Sequence, residues 1–269
     1  MQWIAMKTTF LYFFLLVNHV ISHLKDLGEV SKNWTSVLKY LEKRIVGGRT
    51  ASKKKFPHAV QIFNFGGLCG GTILTSKTVL TAAHCFDENE NLAEIFIFAN
   101  PRYLFDNRSA MHEVWDFKKH ELYNKPAMFS NDIAIVMIHD EFQFGPFIQK
   151  AKLSNTDVWM KESTVVVVTG WGETKYGEGM KNKDFKQTHL YYINKTTCMI
   201  QNEVILQPEM FCLYGEGIRD SCRGDSGGGV VWNGLIIGIV SHGRGCAEKP
   251  GIYMSVNYFR SWINETHKQ

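Results

Sequence analysis

A serine stands at position 226 inside Asp220-Ser221-Cys222-Arg223-Gly224-Asp225-Ser226-Gly227-Gly228. A serine hydroxyl attacks a carbonyl only when a base takes its proton and preset backbone N–H groups receive the developing oxyanion. Glycines on both sides let the main chain turn sharply and come close to a reacting carbonyl. The run has the make-up of a nucleophile loop. Two further groups could complete it. His84 lies in Thr81-Ala82-Ala83-His84-Cys85, and Asp132 lies in Asn131-Asp132-Ile133-Ala134 at the mouth of an apolar strand. Alone, such a histidine is more often structural and such an aspartate more often a cap. Together with the serine they put nucleophile, base and orienting acid in one chain.

Such groups need rigid elements to hold them. Short apolar or β-branched runs occur at 59–63, 72–74, 95–98, 133–138, 164–169, 230–232 and 235–240, with turn residues between them. This rhythm predicts an all-β sandwich or barrel pair. Near the end, Tyr258, Phe259, Trp262 and Ile263 have the spacing of one helical face, which predicts a short terminal helix. There is no internal repeat and no low-complexity segment.

The chain has 269 residues, 45% apolar and 21% charged, enough for one large or two small domains and ordinary for a globular protein. Its start is different. Lys7 precedes an apolar run over 10–17, which is followed by Asn18, His19 and the small residue Ser22. This predicts a signal peptide over 1–22. The run is too short to span a bilayer, which takes ~20 apolar residues. Six cysteines, an even set without Cys-x-x-Cys spacing, and sequons at Asn33, Asn107, Asn194 and Asn264 agree with a secreted, extracellular protein. The net charge of +4 is concentrated in 1–44, which holds six of the 30 basic and three of the 26 acidic residues. The remaining 24 basic and 23 acidic residues give no footing for nucleic acid or an anionic membrane. A polar segment, 23–44, ends in Lys43-Arg44 just before Ile45-Val46-Gly47-Gly48, a dibasic pair that reads either as a plain loop or as the point where a trypsin-like activating enzyme would cut.

Segment 45–263, about four-fifths of the chain, resembles the trypsin-like (chymotrypsin-fold) serine proteases. The resemblance is carried by Ile-Val-Gly-Gly at 45–48, Gly70-Gly71-Thr72, TAAHC at 81–85, NDIA at 131–134, GWG at 170–172 and GDSGG at 224–228, in order and at approximately the family's spacing. It implies two six-stranded antiparallel β-barrels packed together, with the active site in the cleft between them and a short C-terminal helix. It implies Ser226 as nucleophile, His84 as general base and later acid, and Asp132 as the group that fixes the imidazole tautomer. The Gly224 and Ser226 N–H groups match the oxyanion hole. Ser241 matches a serine that supports the buried aspartate. Asp220 matches the floor of the pocket for the residue before the scissile bond, so the resemblance implies selection of Arg or Lys. Gly243 and Gly251 match the glycines that keep that pocket open, Tyr253 a wall residue, and Ser221 could help to hold lysine.

The resemblance further implies a zymogen. Cutting after Arg44, by another protease or by the enzyme itself, would free the Ile45 α-amino group to pair with Asp225, giving a mature domain of 45–269. Cys69–Cys85, Cys198–Cys212 and Cys222–Cys246 match the family's disulfides. Implied partners are protein or peptide substrates with Arg or Lys before the cut and protein inhibitors, for a monomer with no membrane anchor and no cofactor. No metal is expected, because the region matching the family's calcium loop, 100–108, has Asp106 as its one acid.

Some positions depart from the family. Val166 and Trp232 stand where a further bridge is common, His242 replaces the usual tryptophan beside the substrate backbone, and Gly229 replaces a proline. The segment 246–251 is shorter than that of trypsin. These changes predict altered or narrowed preference two to four residues before the scissile bond, with lower general efficiency. Arg223 and Arg244 sit near the pocket rim, either as solvated charge or as attractors of acidic substrate residues. The rival reading is a protease-fold binding or adaptor protein without turnover, which a Ser226→Ala comparison would separate from an enzyme.

Overall fold

The computed structural model describes residues 46–177, 179 and 184–267. The expected signal peptide, the segment 23–44, Arg44, Ile45 and the sequon Asn33 lie outside the described residues. Seven strands come first: β1 (Arg49–Thr50), β2 (Ala59–Asn64), β3 (Gly67–Ile73), β4 (Thr78–Thr81), β5 (Ile95–Ala99), β6 (Ala110–Lys119) and β7 (Ala134–Ile138). The last six close an antiparallel barrel in the order β2-β3-β4-β7-β6-β5. The second half holds β8 (Val165–Gly170), β9 (Lys186–Ile193), β10 (Met210–Tyr214), β11 (Gly229–Trp232), β12 (Leu235–His242) and β13 (Gly251–Ser255). These run β9-β10-β13-β12-β11-β8, and a β8–β9 pairing closes the second barrel, with β1 added outside on β9. The expectation of paired six-stranded barrels is met.

Alternation decides which faces turn inward. In β5, Ile95, Ile97 and Ala99 are buried while Phe96 and Phe98 face outward, the period of two that a half-buried strand requires. The first core gathers Val60, Ile62, Ile73, Val79, Ile97 and Val136. The second gathers Val168, Leu190, Phe211, Leu213, Val230 and Tyr253. Each fully buried aliphatic side chain contributes roughly 1.5–3 kcal/mol. Another cluster draws on both barrels, with Leu80, Ile135 and Met137 from one and Ile239, Ile252 and Met254 from the other, and it sets their mutual position. Val166 and Trp232, which replace the missing bridge, pack into the second core.

Two helices are present among the described residues. α1 (Lys195–Asn202) was not anticipated; the Asn194 side chain caps it by accepting from Thr197 N at 2.8 Å, so this sequon's amide has a structural task. α2 (Arg260–Thr266) is the terminal helix, though it starts after Tyr258 and Phe259 rather than including them. Among the described residues no helix is long and apolar enough to cross a membrane. The structure joins Cys69 to Cys85, Cys198 to Cys212 and Cys222 to Cys246. In the 100–108 loop the Asp106 carboxylate accepts from the N–H groups of Arg102 and Arg108 and from Arg108 Nε, while the Lys53 ammonium bonds the Asn100 carbonyl. The one acid of that loop is thereby engaged by protein donors.

Candidate active site

His84 sits in a 3-10 turn, Ala83–Phe86, that follows β4. Cys85 ties this turn to β3 through its bridge to Cys69. The two sulfurs lie near His84, but each is consumed by the other and neither can ligate a metal. Asp132 lies two residues before the start of β7 and is wholly buried. Its neighbour Asn131 takes a left-handed conformation, φ 53°, held by its Nδ2 donating to the carbonyls of Leu122 and Lys125. That turn aims the Asp132 carboxylate at the histidine. Oδ1 accepts the His84 backbone N–H at 2.9 Å, and Oδ2 accepts from His84 Nδ1 at 2.8 Å. Ser241 Oγ donates to the same Oδ2 at 2.5 Å.

These contacts set the charges. Burial raises the Asp132 carboxyl, but the His84 charge and the converging donors outweigh it and bring it below its ordinary value. Burial lowers the His84 imidazole, yet the charge and hydrogen bond of Asp132, helped by Asp87, leave it above 6.5. The pair suits a base that must accept a proton near neutral pH.

Ser226 lies across the cleft, on the loop that leads into β11. The Ser226 carbonyl accepts from Gly70 N at 2.7 Å, Gly227 N donates to Val240 O at 2.8 Å, and Gly228 N donates to Asp225 O at 2.9 Å. Gly227 has φ 77°, and a Cβ there would lie 2.0 Å from Thr81 Oγ1. Only glycine fits this turn. Neither the Gly224 nor the Ser226 N–H has an acceptor among the described residues, while the N–H groups of Asp225, Gly227 and Gly228 all do. Two free donors, one on either side of Asp225, can receive an oxyanion. Ser226 and His84 line one cleft of about 480 Å3, without a direct hydrogen bond between them. Such bonds are commonly long until a substrate seats.

The same cleft is floored by Asp220, 4% exposed. Its Oδ1 accepts from Ser221 N and its Oδ2 from Ala247 N, both at 2.8 Å. Burial, with the neighbouring Asp225 charge adding to it, pushes this carboxyl up to about 7 against those two donors. Gly243 and Gly251 face each other, since a Cβ on the former would touch the latter's Cα at 3.6 Å. Tyr253, expected as a wall residue, is wholly buried and does not itself line this cleft; its hydroxyl meets Ser221 Oγ at 3.0 Å. Arg223 is exposed at the rim, with its guanidinium over the Tyr176 ring at 5.2 Å.

Asp225 is fully buried, and its carboxylate takes Gly172 N at 2.8 Å and Cys222 N at 3.0 Å. Burial pushes it up to about 6. It makes no ion pair among the described residues. A Cβ at Gly229 would meet Thr72 Oγ1 at 2.6 Å, so the hydroxyl of Thr72 fills the place of the replaced proline's side chain.

Sequence reasoning missed several participants. Phe129 stacks on His242 at 4.4 Å and meets the His84 ring edge-on at 5.8 Å. It and His242 also line an apolar groove of about 620 Å3 with Met128, Ile205, Leu206 and Met210. The N–H groups of Ala247 and Gly172, which hold the two buried acids, carry no side-chain signal at all.

Comparison with known proteins agrees with this geometry. A family model described as Trypsin matches residues 45–263. The chain is 32% identical to trypsin epsilon of Drosophila erecta, over 87% of this chain and 91% of that one. It is 33% identical to a trypsin of Phaedon cochleariae, over 82% and 87%, and 32% identical to a vitellin-degrading protease of Bombyx mori, over 82% and 85%. With a match that spans both barrels, the chain belongs to the trypsin family and is a serine endopeptidase.

Proposed function

We propose that the protein is secreted as a zymogen, is activated by cleavage after Arg44, and then hydrolyses peptide bonds that follow Arg or Lys. The carrying observation is a carboxylate, Asp220, buried at the floor of the cleft that His84 and Ser226 line. A buried carboxylate without a cation is costly, so a guanidinium or ammonium is the occupant that such a floor favours. His84 takes the Ser226 proton as the hydroxyl attacks the scissile carbonyl, and Asp132 stabilises the resulting imidazolium. The Gly224 and Ser226 N–H groups hold the oxyanion. The imidazolium then protonates the leaving amine, and water releases the acyl group by the same route in reverse.

Activation follows the same electrostatics. Asp225 lies buried with two N–H donors and a raised carboxyl, and a new α-amino group at Ile45 would supply the missing cation. Pairing them would hold the Gly224–Ser226 donors in place. The leader-like start, the disulfides and the sequons support secretion. The apolar groove beside Phe129 and His242 supports preference for an apolar side chain two to four residues before the cut.

The test is to cut the secreted chain at Arg44 and assay chromogenic peptides ending in Arg, Lys or Phe beside a Ser226→Ala control. Turnover of Arg and Lys peptides that depends on the cut and on Ser226 is expected. Equal, negligible turnover by both proteins would leave the adaptor reading standing, and preference for Phe would refute the role given to Asp220.

A further inference from the structure

The hydrogens around Asp132 can be assigned from acceptor chemistry alone. An ionised carboxylate only accepts. Its Oδ1 takes the His84 N–H, and its Oδ2 takes His84 Nδ1 and Ser241 Oγ. The single Ser241 hydroxyl proton is therefore committed to Asp132. A second contact, 3.0 Å between Ser241 Oγ and His242 Nδ1, must then run the other way, with Nδ1–H donating to the serine oxygen.

Two features of the fold build this contact. Successive side chains on a regular strand point to opposite faces. The β12–β13 register shifts between Val240 and His242, so Val240 pairs with Tyr253, His242 pairs with Ile252, and Ser241 is the extra residue. A bulge of this kind re-aims side chains next to an active site. Phe129 then stacks on the His242 ring with an interplanar angle of 20°, which fixes its plane.

We infer that His242, held as its Nδ1–H tautomer, is a positioning residue that donates to Ser241 Oγ and so aims and strengthens the bond from Ser241 to Asp132. This rests on the reading of His84, Asp132 and Ser226 as the catalytic set. The charged groups that face His242 are Asp132 and His84 from the first barrel, with Arg244 two residues on along its own chain and Asp87 acting on His84. Burial, with the His84 charge, outweighs Asp132 and lowers His242 to about 4. It stays neutral where the enzyme works, so it donates without placing a second cation beside the imidazolium.

Without the donor, Ser241 gives less to Asp132, and Asp132 has more charge to offer His84. The His84 imidazolium is then better stabilised, and the acid limb of kcat/KM moves to higher pH. Cooperative strengthening of about 10–30% of a charge-assisted hydrogen bond corresponds to about 0.1–0.6 pH unit.

Two variants separate donor from ring. His242→Phe keeps the stack on Phe129 and loses the donor. His242→Asn keeps an N–H in the place of Nδ1 and loses the ring. On the full chain cut at Arg44, the Phe variant is expected to raise the acid midpoint by about 0.1–0.6 pH unit. The Asn variant is expected to hold the midpoint and to raise KM. Matching profiles for the two variants, or a shift in Asn alone, would overturn the inference. A second measurement needs no turnover. Imidazole 15N spectra of the Ser226→Ala protein should show His242 protonated at Nδ1, and protonation at Nε2 would overturn the inference equally. An inactive wild-type chain that still shows Nδ1–H would defeat the protease reading and leave this one standing.

Discussion

Replacing Asp220 with Asn should split activity and stability in opposite directions above neutral pH. In the free enzyme the Asp220 carboxyl stands at about 7, against 3.8 unburied, with burial as the main cause. The folded protein thus binds this proton more tightly than the unfolded chain does. The stabilising contribution is fully present below about pH 4 and is lost as pH rises to about 7. The difference of roughly three pH units corresponds to about 4 kcal/mol at pH 8. An Asn escapes that loss. Its amide NH2 must, however, face one of the two N–H donors, Ser221 N or Ala247 N, at a cost of about 1–3 kcal/mol. The variant should therefore be less stable than wild type by about 1–3 kcal/mol near pH 4 and more stable by a similar amount at pH 8, with a crossing between. Activity moves the other way. Losing the ion pair with a substrate cation costs about 3–5 kcal/mol, or roughly 10²–10⁴ in kcat/KM for an Arg peptide. In the wild type, His84 must be neutral and Asp220 ionised, so kcat/KM should fall by up to about a hundredfold per pH unit on the acid side; the variant keeps only the His84 limb, about tenfold per unit. Thermal unfolding and pH profiles of both proteins test this. A stability difference of constant sign from pH 4 to 8, or equal steepness of the two acid limbs, would refute the reasoning.

Asp225→Asn should leave cleavage at Arg44 intact and reduce the cleaved enzyme's kcat/KM by roughly 10²–10⁴, because a buried ammonium would then lack its carboxylate; the cut-site yield and an Arg-peptide assay measure the two separately. Gly227→Ala forces a Cβ to 2.0 Å from Thr81 Oγ1 at φ 77° and should destabilise by about 2–5 kcal/mol, read as a fall in Tm together with lost turnover. Removing the Cys222–Cys246 bridge, which spans 24 residues, by paired Ala substitutions should cost about 3 kcal/mol and raise KM, since it fastens the Asp220 and Ala247 sides of the pocket together.

The chemistry was legible because it resides in side chains whose neighbours in sequence are also their neighbours in space. The Ser226 loop, the His84 turn and the Asp132 turn each announce themselves within a few residues. Strands such as β5 and β7 were legible because one face or both are aliphatic. β6 was not: its outward residues Met111, Glu113 and Trp115 mix apolar with charged, and its buried positions include His112, so no period of two stands out. α1 escaped because its eight residues are too few for a clear helical face, and Asn194-Lys195-Thr196 read first as a sequon. Phe129 could not be found from its surroundings, since a left-handed loop residue at φ 59° gains its role only from the stacking partner that the second barrel brings to it. His242 was noticed as a substitution, but its bond to Ser241 depends on a register shift that no local pattern encodes.

The division of labour between the barrels has a further effect. His84 and Asp132 hang from one, while Ser226, Ser241 and Asp220 hang from the other, with bonds such as Gly70 N to Ser226 O stitched across the seam. Neither lobe folding alone can cut anything. In a chain emerging from synthesis these groups thus stay apart until both lobes are finished and have docked.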